Sequence, residues 1–145
     1  MGYKTLKYAW WRYKNTEVRA KGAKLRHSRD SKQYQFEEVK NESQILEMDV
    51  TQLKEGLLRG DFTSVDLVNV FGKRCYTIGR RLSLSAEEDF DSALVEAAEK
   101  DRERTQAIQN GTQGELPVLH GIPVSIKEMV SDILKNIQQV IHFHH

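Results

Sequence analysis

At 145 residues the chain suits one modest domain, and with 30% charged against 39% apolar residues it has material for only a thin core. A single cysteine, Cys75, excludes an intramolecular disulfide and any zinc site built from cysteines. The net charge of +1 hides two opposed halves: residues 1–32 carry ten Lys/Arg against Glu17 and Asp30, whereas the remainder is acidic.

The basic leader, residues 1–32, contains no apolar run of the roughly 20 residues that span a bilayer. It also lacks the apolar core of a signal peptide. Gly2 is present, but Leu6 stands where a myristoylation site needs Ser or Thr. Tyr3, Tyr8, Trp10, Trp11 and Tyr13 lie among Lys4, Lys7, Arg12 and Lys14, without a clean 3.6-residue period. Aromatic rings beside cations suit the headgroup level of a membrane, so a peripheral membrane contact through residues 1–32 is the expected partner. A solvated tail is the plain alternative, and nucleic acid is the less favoured one. The expected location is intracellular, either cytoplasmic or peripheral on endomembranes.

Residues 33–48 are mixed polar, with Phe36, Val39, Ile45, Leu46 and Met48 as anchors for one or two helical turns. Asp49 with Gln52 has the spacing of a capping box, and Val50, Leu53 and Leu57 mark one face of a short helix. Gly60 is placed to end it in the left-handed conformation. Thr63 with Asp66 opens the next helix, where Val65, Val68, Phe71, Cys75 and Ile78 predict one buried stripe. Cys75 is expected as a small buried hydrophobe on that stripe. Ser85 with Glu88 is a third capping signal, before a helix with Phe90, Leu94, Ala97 and Ala98 inward. Its outer face, from Glu87 to Arg104, reads as charged and solvated, with Glu99 and Glu103 opposite Lys100 and Arg104. Asn110, Gly111 and Gly114 form a turn-rich loop.

His120–Glu128, HGIPVSIKE, alternates β-branched Val124 and Ile126 with Ser125 and Lys127 and predicts a short strand near 122–127. Pro123 is tolerated at a strand's first residue. An amine among apolar neighbours loses part of its hydration, which lowers its pKa and lets it act as a base. The simpler reading leaves Lys127 on the wet face of the strand.

HGIPVSIKE resembles the lysine block of the amidase signature family, Gly-Hyd-Pro-Val-x-Hyd-Lys-[DE]. LKEGLLRGDFTSVDLVNVFGKRCYTI resembles that family's opening helices, and SALVEAAEKDRER its Ala-rich helix, ending in Ala97, Ala98 and Asp101. The blocks stand in the family's order over roughly residues 45–130. The wording PVSIKE and the basic leader are most similar to the fatty-acid amide hydrolase branch, although that branch often carries a membrane-spanning leader.

The resemblance implies an α/β class: the N-terminal fragment of a mixed sheet wrapped by helices, itself mainly α-helical with one short strand. It implies a leader over 1–32, an N-terminal part of an amidase domain over 33–130 and a divergent tail over 131–145. It implies hydrolysis of linear carboxamides, possessed by a full-length parent with a small-molecule amide substrate. Lys127 would be the catalytic lysine of a serine, cis-serine and lysine set, with no cofactor and no metal.

No Gly-Gly-Ser-Ser-Gly-like stretch is present, so the chain alone is expected to be inactive. Ser125 holds no serine role at that position in the family, and nothing around Ser131 resembles a nucleophile loop. His120 is expected to act in a turn. His142, His144 and His145 are read as unstructured and not as metal ligands. The tail MVSDILKNIQQVIHFHH reads as an amphipathic helix. The alternative function is a non-enzymatic helical module whose basic arm engages membrane or nucleic acid.

Overall fold

The computed structural model describes residues 2–85 and 87–126. Lys127, Ser131, the tail expected as a helix and the three terminal histidines lie outside the described residues. Among the described residues, five α-helices form the framework: α1 (Gly2–Ser31), α2 (Glu42–Ile45), α3 (Val50–Arg59), α4 (Ser64–Arg74) and α5 (Phe90–Gln109). A π-helical segment, Cys75–Gly79, extends α4, and a 3-10 turn, Gln113–Glu115, follows α5.

Local chemistry sets the ends of α3 and α4. The Asp49 side chain accepts from Gln52 N at 2.8 Å, while Gln52 Oε1 accepts from Asp49 N at 2.9 Å. Thr63 and Asp66 repeat this exchange at α4, at 3.0 and 2.7 Å. Each box satisfies two N–H groups that a helix start leaves without partners, a gain of about 1 kcal/mol. Gly60 closes α3 at φ +78°, as its position predicts. The third signal turns out differently. Asp89, not Ser85, caps α5, and Ser85 Oγ instead donates to Glu88 Oε1 at 2.6 Å.

Ile45, Leu53, Leu57, Phe62, Leu67 and Val70 make the core, with Val39, Leu46, Met48, Phe71 and Ile122 packed around it. The stripe expected on α4 is therefore displaced. Leu67 and Val70 are the most deeply buried hydrophobic residues of α4; of the expected stripe Val68 is buried, Val65, Phe71 and Cys75 are half-buried and Ile78 is exposed. Helix α4 lies between α2 and α5, so two faces are covered where one had been expected. A second cluster joins Tyr34 and Phe36 to Tyr76 and Phe90, with ring centroids 4.8–6.3 Å apart. Gly72 makes room for it: a Cβ there would come within 2.7 Å of the Phe36 ring.

The α/β expectation is corrected. Among the described residues there is no strand, and the chain is a helical assembly. Residues 122–126 form no backbone ladder, and Val124 and Ile126 are exposed. β-Branched alternation suits a pleated surface, but a strand exists only when a second one supplies its hydrogen bonds. No described residue does so.

Candidate functional site

The segment that leads to Lys127 is seated on the N-terminus of α4. Leu119–Ile122 is a tight turn closed by Ile122 N donating to Leu119 O at 3.0 Å. Gly121 takes φ +78° in its third position, as a type II turn requires. A side chain at Gly121 would meet an obstacle as well as strain, because its Cβ would collide with Ser64 Oγ and stand 3.0 Å from Arg104 Nη1.

Beneath the turn, Asp101 Oδ1 accepts from Ser64 N at 2.7 Å and Oδ2 from Val65 N at 3.2 Å. The carboxylate thus caps the first N–H groups of α4 from another helix, where negative charge is favoured. Arg104 pairs with Asp101 and donates from Nη1 to Ser64 Oγ at 2.9 Å. Ser64 is wholly buried and Arg104 is 6% exposed.

This corrects the reading of α5's outer face. Arg102 does pair with Glu99, and Lys100 with Glu103, toward solvent. Arg104 turns inward, one turn after Asp101, and joins three segments. Sequence spacing carried a signal for it: Asp101 and Arg104 stand at i and i+3, on one helix side.

His120 holds the turn from its other side. Its side chain is buried, with Nε2 3.1 Å from Lys100 O and Nδ1 3.7 Å from Glu103 Oε2. A carbonyl only accepts, so Nε2 carries the proton and the histidine positions the turn, as expected. The Glu103 carboxyl is held below its ordinary value, first by the hydrogen bond from Lys100, then against the opposing effect of burial, and further by the charges of Lys100 and His120. A lowered carboxyl pKa adds stability above the unfolded value and loses it as pH falls through the folded one. Glu103 is solvent-facing, so that contribution is small.

Beyond Pro123 the segment crosses between α4 and α5, near Val68 and Ala93, with an open cleft on each side. One, of 460 Å³, extends toward Phe71, Cys75 and Phe90. The other, of 520 Å³, extends toward Ala97, Leu119 and His120. Both are lined by Val124 and Ile126. Ser125 is exposed. Among the described residues no group of His, Cys, Asp and Glu could hold a metal ion.

Replacing Gly121 by Ala should destabilise the chain by about 2 kcal/mol, because an L-residue pays about 1–2 kcal/mol in this conformation and Ser64 must also move. Urea unfolding followed by circular dichroism measures it. A loss below about 0.5 kcal/mol would contradict the close seat on Ser64.

No family model matches the chain, and no solved structure matches it. It is 29% identical over 86 residues to fatty-acid amide hydrolase 2-B of Danio rerio, a stretch covering 58% of this chain and 16% of that protein. The chain therefore spans about one sixth of that relative's length. At this distance the likeness indicates an amidase-signature relative, remote and partial.

Proposed function

We propose that this chain supplies the N-terminal segment of an amidohydrolase acting on linear carboxamides, with Lys127 as its general acid/base. One observation carries the reading. The three blocks that resemble the amidase signature meet at a single point, where Ser64 from the first, Asp101 and Arg104 from the second and Gly121 from the third are in direct register. The partial similarity to an amide hydrolase points the same way.

In this reading Ile122 anchors the segment in the core and Pro123 stiffens the path to Lys127. The lysine, neutral in its working form, takes a proton relayed by a bridging serine from the nucleophilic serine and returns it to the leaving amine. Neither serine has a counterpart in this sequence, so the segment orients a base and does not by itself cleave an amide. Fatty-acid amides are the substrate class favoured by the branch that it resembles.

A fluorophosphonate probe, which reacts with activated serines, is expected to leave the chain unlabelled. Labelling at Ser125 or Ser131 would overturn this account. Nucleotide sequence downstream of the Lys127 codon is expected to encode, in some frame, a Gly/Ser-rich loop with two serines. The protein carrying that loop should hydrolyse a long-chain amide and lose the activity in Lys127→Ala. Undiminished hydrolysis in Lys127→Ala would remove the lysine from its role.

A further inference from the structure

Helix α1 carries an order that its blurred apolar period conceals. Trp11, Val18 and Leu25 recur every seven residues. Lys7, Lys14 and Lys21 flank that seam on one side, and Arg12, Arg19 and Arg26 flank it on the other, each set also spaced by seven. A seven-residue repeat on an α-helix drifts only about 20° per repeat, so the three rows run nearly parallel along an axis of about 45 Å. Trp10 and Tyr13 fall outside the seam and blur the period. Tyr8 stacks on Trp11, with ring centroids 6.2 Å apart.

The seam is uncovered for most of its length. Trp11 is 57% and Val18 66% exposed, and only Leu25 is half-buried. The helix is secured at its C-terminal end, where buried Arg29 donates to Ser85 O and Lys32 Nζ donates to Glu88 O at 3.2 Å. The rest of α1 makes no helix-to-helix packing of note within the described chain.

We infer that α1 lies flat on an anionic lipid bilayer, with the Trp11–Val18–Leu25 seam at the acyl boundary and the two cationic rows among the headgroups. Three features select this occupant. A narrow apolar strip bordered by Lys and Arg lets their apolar stems cover the strip while the charged ends reach lipid phosphates. Tyr8 and Trp11, stacked and exposed, lie together toward the end of the helix remote from its attachment, and Trp and Tyr favour the headgroup level. A second copy of α1 is disfavoured, because pairing along the seam would set like-charged rows against each other. No helix among the described residues is long and apolar enough to cross a membrane, which agrees with a helix lying in the surface.

The sequence offers its own reporters, since Trp10 and Trp11 are its two tryptophans. The full chain should sediment with phosphatidylcholine vesicles containing phosphatidylserine and remain in solution with phosphatidylcholine alone. Trp11, isolated by Trp10→Phe, should shift its emission to the blue on the anionic vesicles. The triple variant Lys7→Glu/Lys14→Glu/Lys21→Glu should weaken binding at least about ten-fold. Raising the salt concentration should weaken the unaltered chain too, a measurement independent of how the variant folds. Recovery in the supernatant with both vesicle types would overturn the proposal. So would an unshifted Trp11, or binding to single-stranded polyuridylate without binding to anionic vesicles.

Discussion

Arg104→Met is expected to lower stability by about 3 kcal/mol. Methionine retains the apolar stem and fills most of the volume, so the loss isolates the guanidinium. Removing one partner from a buried ion pair costs about 3–5 kcal/mol, since the other charge stays in place unpaired. The lower end applies because the Asp101 side chain is still 20% exposed and retains two backbone donors on α4. Urea unfolding by circular dichroism gives the loss directly. Hydrogen exchange adds a local test: amides of the 119–122 turn should exchange faster in Arg104→Met, because Ser64 Oγ beneath Gly121 loses its donor. A loss below about 1 kcal/mol, with unchanged exchange at the turn, would mean that Arg104 is not the strut between α5, α4 and the lysine segment.

Glu88→Ala should cost a similar amount, about 3 kcal/mol. Glu88 Oε2 accepts from Arg80 Nε at 3.0 Å and Nη2 at 2.7 Å, and Oε1 accepts from Ser85 Oγ. The two side chains of the pair are 2% and 14% exposed, so water gives Arg80 little in exchange. Burial works against the Arg80 charge, but the hydrogen bond and charge of Glu88 outweigh it, and its pKa stands above the ordinary value. Arg80 also lies 4.2 Å from the centroid of the Tyr76 ring, which favours a cation over its face. Glu88→Gln, which keeps an acceptor but not the charge, should fall between the parent and Glu88→Ala. The same unfolding experiment ranks the three, and equal stability of Glu88→Ala and the parent would show that Arg80 is adequately solvated without its partner.

The two effects have different functional reach. The Glu88 main-chain carbonyl accepts from Lys32 Nζ at 3.2 Å and from the Tyr34 hydroxyl at 3.0 Å, while its carboxylate holds Arg80, whose Nη1 donates to Lys32 O at 3.0 Å just past α1. Glu88→Ala keeps the carbonyl contacts and frees only Arg80, so it should loosen the mount of the proposed membrane helix through that guanidinium alone. Arg104 supports the turn ahead of Lys127, and its loss should act on the proposed lysine site.

What the sequence by itself determined is local. The capping boxes at Asp49 and Thr63, the left-handed Gly60 and the turn role of His120 each depend on groups a few residues apart. The order of the three amidase-like blocks was likewise readable, because it is a property of the linear chain. The tertiary structure decided which faces are dry. Leu67 and Val70 are buried more deeply than the expected stripe because α2 and α5 cover two sides of α4. Arg104 reads as one more charge on a solvated helix until Ser64 and Asp101 are seen to meet it. Val124 and Ile126 have the alternation of a strand, yet a strand needs a neighbour to complete its hydrogen bonds, and the described residues provide none. Periodicity reports what a face is made of, whereas burial depends on what packs against it.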